Sequence, residues 1–156
     1  MDKMELKAQI LNVCKQIQQE TIDHLSLTVD DAQKSANDYG CPRDRYDAYR
    51  AQLLRQRDMF AQQLQKAREQ MDVLDRISSD ILLKQVEFGA VVQTDKNKIF
   101  VSIGLGKIKV PESNTATVEE YYAISPVVPI YKAMEGKRVG DTFAFNSQEF
   151  TVLEVF

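Results

Sequence analysis

The chain reads as an α+β protein: a long antiparallel helical hairpin followed by a small β-rich domain. Three observations predict this. Between Met1 and Phe88 there is one Gly and one Pro, nearly adjacent in Gly40-Cys41-Pro42, and the residues around that triplet keep a helical composition. Two long helices joined by one short break make a helical hairpin. The rest of the chain holds five of the six Gly and three of the four Pro, among β-branched and aromatic runs. Within the second half of the hairpin, Tyr46, Leu53, Phe60, Ala67 and Leu74 recur every seven residues, the seam a coiled coil requires. The predicted division is a coiled-coil hairpin over residues 1–80, with its tip at 39–43, and a second domain over 81–156.

In the first helix, Leu6, Ile10, Val13 and Ile17 form an apolar stripe that weakens to Ala32, Ser35 and Ala36 near the tip. Ile22, Leu25, Leu27 and Val29 crowd its middle, and Thr28 or Asp30 is positioned to cap a new helix after a break near Ser26. In the second helix, Tyr49 or Arg50, then Arg57, Leu64, Met71 and Ser78 fill the intervening steps of the seam. No breaker interrupts residues 43–80, a span of ~55 Å at helical rise.

From Val86 the period changes to that of strands. Phe88 to Val92 reads as a strand, Asp95-Lys96-Asn97 as a turn, and Lys98 to Ile103 as the returning strand. Lys107 to Val110 alternates, and Val118 to Ser125 follows a Pro-containing loop. Tyr131 to Glu135 suits a short helix closed by Gly136, and Asp141 to Phe145 pairs with Glu149 to Phe156 across Asn146-Ser147. These strands predict a mainly antiparallel sheet.

Composition narrows the function. A net charge of −3, spread over both halves, gives no polycation for nucleic acid or anionic membrane. The charged first residues are not followed by the apolar core of a secretory signal, and no apolar run approaches the ~20 residues of a membrane span. Cys14 and Cys41 lie ~40 Å apart along one helix and its end, too far to pair. Free thiols suit a reducing compartment, so the expected location is cytoplasmic. No phosphate-binding glycine loop, zinc spacing or nucleophile elbow occurs. His24, the sole histidine, falls mid-helix. No active site of its own, no cofactor and no stably bound metal are expected.

Acidic residues cluster at the hairpin tip. Asp38, Asp44 and Asp47 flank the turn, and Asp44 and Asp47 share one helical face. Exposed carboxylates there can complete the oxygen shell of a Mg²⁺ held mainly by a partner. They equally suit a solvated helix start, with Arg43, Arg45 and Arg50 screening them.

The stretch from Ile124-Ser125-Pro126 through Met134-Glu135-Gly136-Lys137 to Gly140-Asp141 resembles the C-terminal domain of the bacterial Gre transcript-cleavage factors. That family pattern runs Ile-Ser, Ser-Pro-Ile-Ala, Leu-x-Gly-Lys, Gly-Asp and a β-hairpin, and Phe88-Gly89-Ala90 resembles the domain's opening strand. The resemblance implies an FKBP-like C-terminal domain that docks on RNA polymerase at the secondary channel, with the coiled coil directed to the catalytic Mg²⁺. It also implies a docking loop at Ser125, Pro126, Val127, Val128, Pro129 and Ile130. The family tip reads Gly-Asp-x-x-Glu-Asn, against Gly40-Cys41-Pro42-Arg43-Asp44-Arg45 here. Asp44 keeps one carboxylate, but a thiol replaces the other, and thiols are poor Mg²⁺ ligands. The expected function is therefore a Gre-like, channel-binding modulator of elongation or initiation that need not stimulate RNA cleavage. It would touch RNA only within the polymerase and share Mg²⁺ only transiently.

Two other readings follow from the residues. One is a non-catalytic coiled-coil module that self-associates through the Tyr46, Leu53 and Phe60 stripe or binds another protein; a monomer or weak homo-oligomer is expected under the first reading. The other is a prolyl isomerase whose pocket is lined by Phe100, Tyr121, Tyr122, Phe143 and Phe145, although core packing explains those rings equally well.

Overall fold

The computed structural model describes residues 2–38, 47–112 and 116–156, with the backbone alone for Asp47. The expected tip at 39–43, with Cys41 and Asp44, lies outside the described residues. Contacts divide the chain into two compact units, Met1–Gln16 with Val73–Phe156, and Ile17–Asp72. Helix gives way to strand between Asp75 and Val91, so this division cuts both long helices. Among the described residues no helix is long and apolar enough to cross a membrane.

Helix α1 runs unbroken over Lys3–Asp38 and α2 over Asp47–Asp75. No break occurs near Ser26. The Thr28 hydroxyl donates to the His24 carbonyl at 2.9 Å, so it is satisfied within the helix and does not cap a new one. His24 itself is exposed. The helix α2 stops before the expected Asp80. Arg76 N–H and Ile77 N–H bond three residues back in a tightened last turn, and the Ser78 hydroxyl takes the Asp80 N–H at 3.3 Å. That local bond competes with continued helix.

Within the unit Ile17–Asp72 the helices are antiparallel. Gln18 Nε2 donates to the Ala67 carbonyl at 2.8 Å, Arg57 to Gln33 Oε1, and Arg50 to the Ala36 carbonyl at 3.4 Å. Moving up one helix thus means moving down the other. The α2 seam forms as expected from Leu53 to Leu74; Tyr46 lies outside the described residues, and Ser78 falls beyond the helix and is exposed. Leu64, Ala67 and Leu74 are buried, while Leu53, Phe60 and Met71 are half-buried.

The α1 stripe forms only in part: Ile10 and Ala36 are buried as expected, but so are Lys7, Leu11, Cys14 and Gln18, whereas Leu6, Val13 and Ile17 are only half-buried. The buried face is turned by one residue, about 100°. Two long polar side chains occupy it because each finds a backbone carbonyl, Gln18 at Ala67 and Lys7 at Ile81. Gln18→Ala is expected to lower stability by about 1–2 kcal/mol, read as a lower urea midpoint of the helical circular dichroism signal; an unchanged midpoint would show that the bond contributes nothing net.

The sheet has six strands: β1 Val91–Thr94, β2 Lys98–Val101, β3 Gly106–Pro111, β4 Val118–Ile124, β5 Thr142–Phe145 and β6 Gln148–Val155. Their order is β3-β4-β2-β1-β6-β5, and every pair is antiparallel except β2 with β4. The first strand starts later than expected, because Phe88-Gly89 forms a turn with Gly89 at φ 89°. Asn146 and Ser147 both take positive φ, 51° and 61°, as a tight hairpin turn requires. Helix α3, Pro129–Met134, packs Tyr131 and Met134 onto Val92, Ile99, Val101, Val152 and Phe150. The alternate residues Val91, Phe100 and Ala123 pair across the opposite face, as the period of two dictates. The α+β architecture expected from the sequence, two long antiparallel helices before a β-rich part, is the one observed.

Candidate functional site

The expected docking loop joins β4 to α3. Ile124 is held at its start, its carbonyl accepting from Ser102 N–H at 2.7 Å. Ser125 then closes a turn: its carbonyl accepts from Val128 N–H and its hydroxyl from Val127 N–H, both at 3.4 Å. Pro129 follows as the first residue of α3, where its fixed φ and missing N–H are tolerated. The turn separates the two valines. Val128 packs with Ile130 on the core, and Val127 is 78% exposed, the most exposed of the large apolar side chains among the described residues.

The rest of the motif is structural. Gly136 and Gly140 have φ of 76° and 91°, a region where other residues are strained. Gly136 N–H bonds the Val86 carbonyl and Val86 N–H the Lys137 carbonyl, both at 2.8 Å. The Asp141 carboxylate accepts from Arg138 N–H at 2.8 Å, fixing the turn into β5. Gly-Lys and Gly-Asp here shape the turns between α3 and β5.

Of the tip carboxylates, Asp38 is exposed at the last residue of α1 and Asp47 is the first residue of α2. A carboxylate suits the helix start and opposes the dipole at the helix end. Asp44 lies outside the described residues, so the expected shared face of Asp44 and Asp47 does too.

The five aromatic residues considered for an isomerase pocket are not brought together. A groove of about 400 Å³ lies on the α3 side, lined by Ile99, Tyr122, Ile124, Ile130 and Phe150, with Lys96 and Gln148 at its rim. Tyr122 alone of the five lines it. Phe100 and Tyr121 are buried, and Phe143 stacks on Phe150 with centroids 5.1 Å apart. Strand alternation sends Tyr121 and Tyr122 to opposite faces. Burial and nearby carboxylates, Glu119 first, push the Tyr121 hydroxyl up to about 12.

Sequence reasoning missed Lys7 and Gln18, which interrupt an apolar face. Their spacing with Ile10, Leu11 and Cys14 keeps the helical period, and that is the only signal that points to their burial.

No family model matches the chain, and no curated protein matches it. Among solved structures it is similar to GreA factor homolog 1 (Gfh1) protein of Thermus thermophilus, at 18% identity over 98% of this chain and 94% of that one, with a TM-score of 0.36.

Proposed function

We propose that this chain is a Gre-like factor that binds RNA polymerase at its secondary channel and modulates transcription by occupying it. The loop Ser125–Ile130 is the docking element, with Val127 as its anchor. The hairpin end bearing Asp38, Asp44 and Asp47 approaches the catalytic Mg²⁺, which the polymerase holds and any chemistry uses. The chain supplies no active site or cofactor of its own, works in the cytoplasm and meets RNA only inside the channel. The observation that carries the reading is Val127, 78% exposed on a hydrogen-bonded turn, within the stretch that resembles the Gre C-terminal domain.

The test is binding to core RNA polymerase, with a stalled, backtracked complex in the same assay. Val127→Asp is expected to weaken binding by about tenfold or more, since an anchor truncated or charged at a partner surface costs ~2 kcal/mol, while circular dichroism stays unchanged. Binding without RNA cleavage identifies a channel-occupying modulator, and cleavage would assign Gre chemistry to the altered tip. No binding at micromolar concentration overturns the proposal.

A self-associating coiled coil is the second reading. Leu53 and Phe60 are half-buried. Leu27 and Met59, 64% and 48% exposed, are the apolar side chains it would use instead. Sedimentation separates the readings: a dimer that persists at nanomolar concentration supports self-association.

A further inference from the structure

A cavity of about 160 Å³ lies within the unit that holds the sheet, and no docking-loop residue lines it. Three donors line it. The Lys7 side chain is 1% exposed, and its ammonium gives one hydrogen bond, to the Ile81 carbonyl at 2.8 Å. It makes no ion pair within 4.0 Å and no second hydrogen bond among the described residues, and an ammonium has three N–H donors to give. Glu87 acts on it only through space, and burial lowers its pKa despite that support. Arg76 is exposed at the rim and has no ion-pair partner among the described residues. The Ser78 hydroxyl accepts from Asp80 N–H and retains its own proton to give.

Among the described residues no acidic side chain lines the cavity. Its other walls are apolar: Ile77 is buried, and Ile81 and Phe88 border the opening at 58% and 37% exposure. A buried ammonium is costly unless paired. The chemical complement of this wall is an acceptor with negative charge. The volume equals that of about five liquid waters, enough for a short carbon chain or one ring.

The geometry points to a binding site for a carboxylate carried on a compact apolar body, with Lys7 and Arg76 on the carboxylate and Ile77, Ile81 and Phe88 around the body. Such a group comes from a free small acid or from the carboxyl terminus of a peptide ending in an apolar residue. The site stands independently of polymerase binding.

Amide NMR titration of the full chain tests it with four probes: 3-phenylpropionate, 3-phenylpropan-1-ol, and a hexapeptide ending in Phe with a free or an amidated carboxyl. The expected result is that resonances from residues 76–89 move, and that each carboxylate form binds about tenfold or more tightly than its neutral counterpart. Lys7→Met is expected to shrink the difference to the few-fold share that Arg76 supplies. Arg76→Gln, at an exposed side chain that leaves the fold intact, is expected to weaken carboxylate binding about fivefold. Tighter binding of the free-carboxyl peptide than of the acid assigns the source to a protein terminus, and the reverse to a small acid. Equal binding of acid and alcohol, no response to Arg76→Gln, or no shift from any probe at millimolar concentration overturns the proposal.

Discussion

Phe100→Ala is expected to lower stability by about 3–5 kcal/mol. Phe100 is fully buried, and its β2 position pairs with Val91 on one side and Ala123 on the other. These flanking side chains are too small to close over the space a lost ring leaves, so the cavity cost adds to the lost transfer energy. Typical domains retain only ~5–15 kcal/mol in total, so the variant forfeits a large share. Urea unfolding followed at the sheet unit measures it. A loss below about 1 kcal/mol would mean the site collapses, and that Phe100 is less confined than its burial implies.

Alkaline pH is expected to destabilise the protein through Cys14. The thiol is fully buried against the Ser102 hydroxyl, and burial pushes it from the ordinary 9.0 up to about 12 despite that hydroxyl. The unfolded chain therefore releases this proton first. Below pH 9 both states keep the thiol protonated and nothing changes. Between pH 9 and about 12 the unfolded state binds fewer protons, so stability falls as pH rises. The slope is about 1.4 kcal/mol per pH unit, or about 4 kcal/mol over the window. Tyr121, raised for the same reason, adds in the same direction above pH 10. Lys7 opposes it, because its lowered pKa means that rising pH relieves a buried charge. Unfolding midpoints of the natural chain and Cys14→Ala between pH 8 and 11 isolate the thiol. Parallel pH curves for the two would show that Cys14 ionises freely in the folded protein.

The hairpin was legible because Gly40 and Pro42 are the sole breakers in a long helical stretch and the α2 heptads are regular. Turn residues were legible where backbone angles demand them, at Gly136 and at Asn146-Ser147. Two features were not. The rotated α1 face depends on Lys7 and Gln18 reaching carbonyls 74 and 49 residues away, and no local period encodes that. The parallel β2–β4 pair joins strands across the whole of β3, a partnership that alternation within either strand cannot reveal. For the docking loop, the residues were legible but not their roles. Val127 and Val128 are identical in sequence terms, and only the Ser125 turn points one out and one in.

Lys3 meets Glu154 at 2.7 Å, and β6 pairs with β1 inside the sheet, with β5 outside it. The sheet unit is thus assembled from the start and the end of the chain, while Ile17–Asp72 is one continuous segment. On the ribosome these two parts have different histories. At ~5–20 residues per second, β1 waits several seconds for its inner neighbour, whereas the hairpin has every partner in hand once Asp72 emerges. The helices are therefore the first part able to form, and the strands pass a window with β1 open on one side. Conditions that slow the last residues of synthesis lengthen that exposure without touching the hairpin.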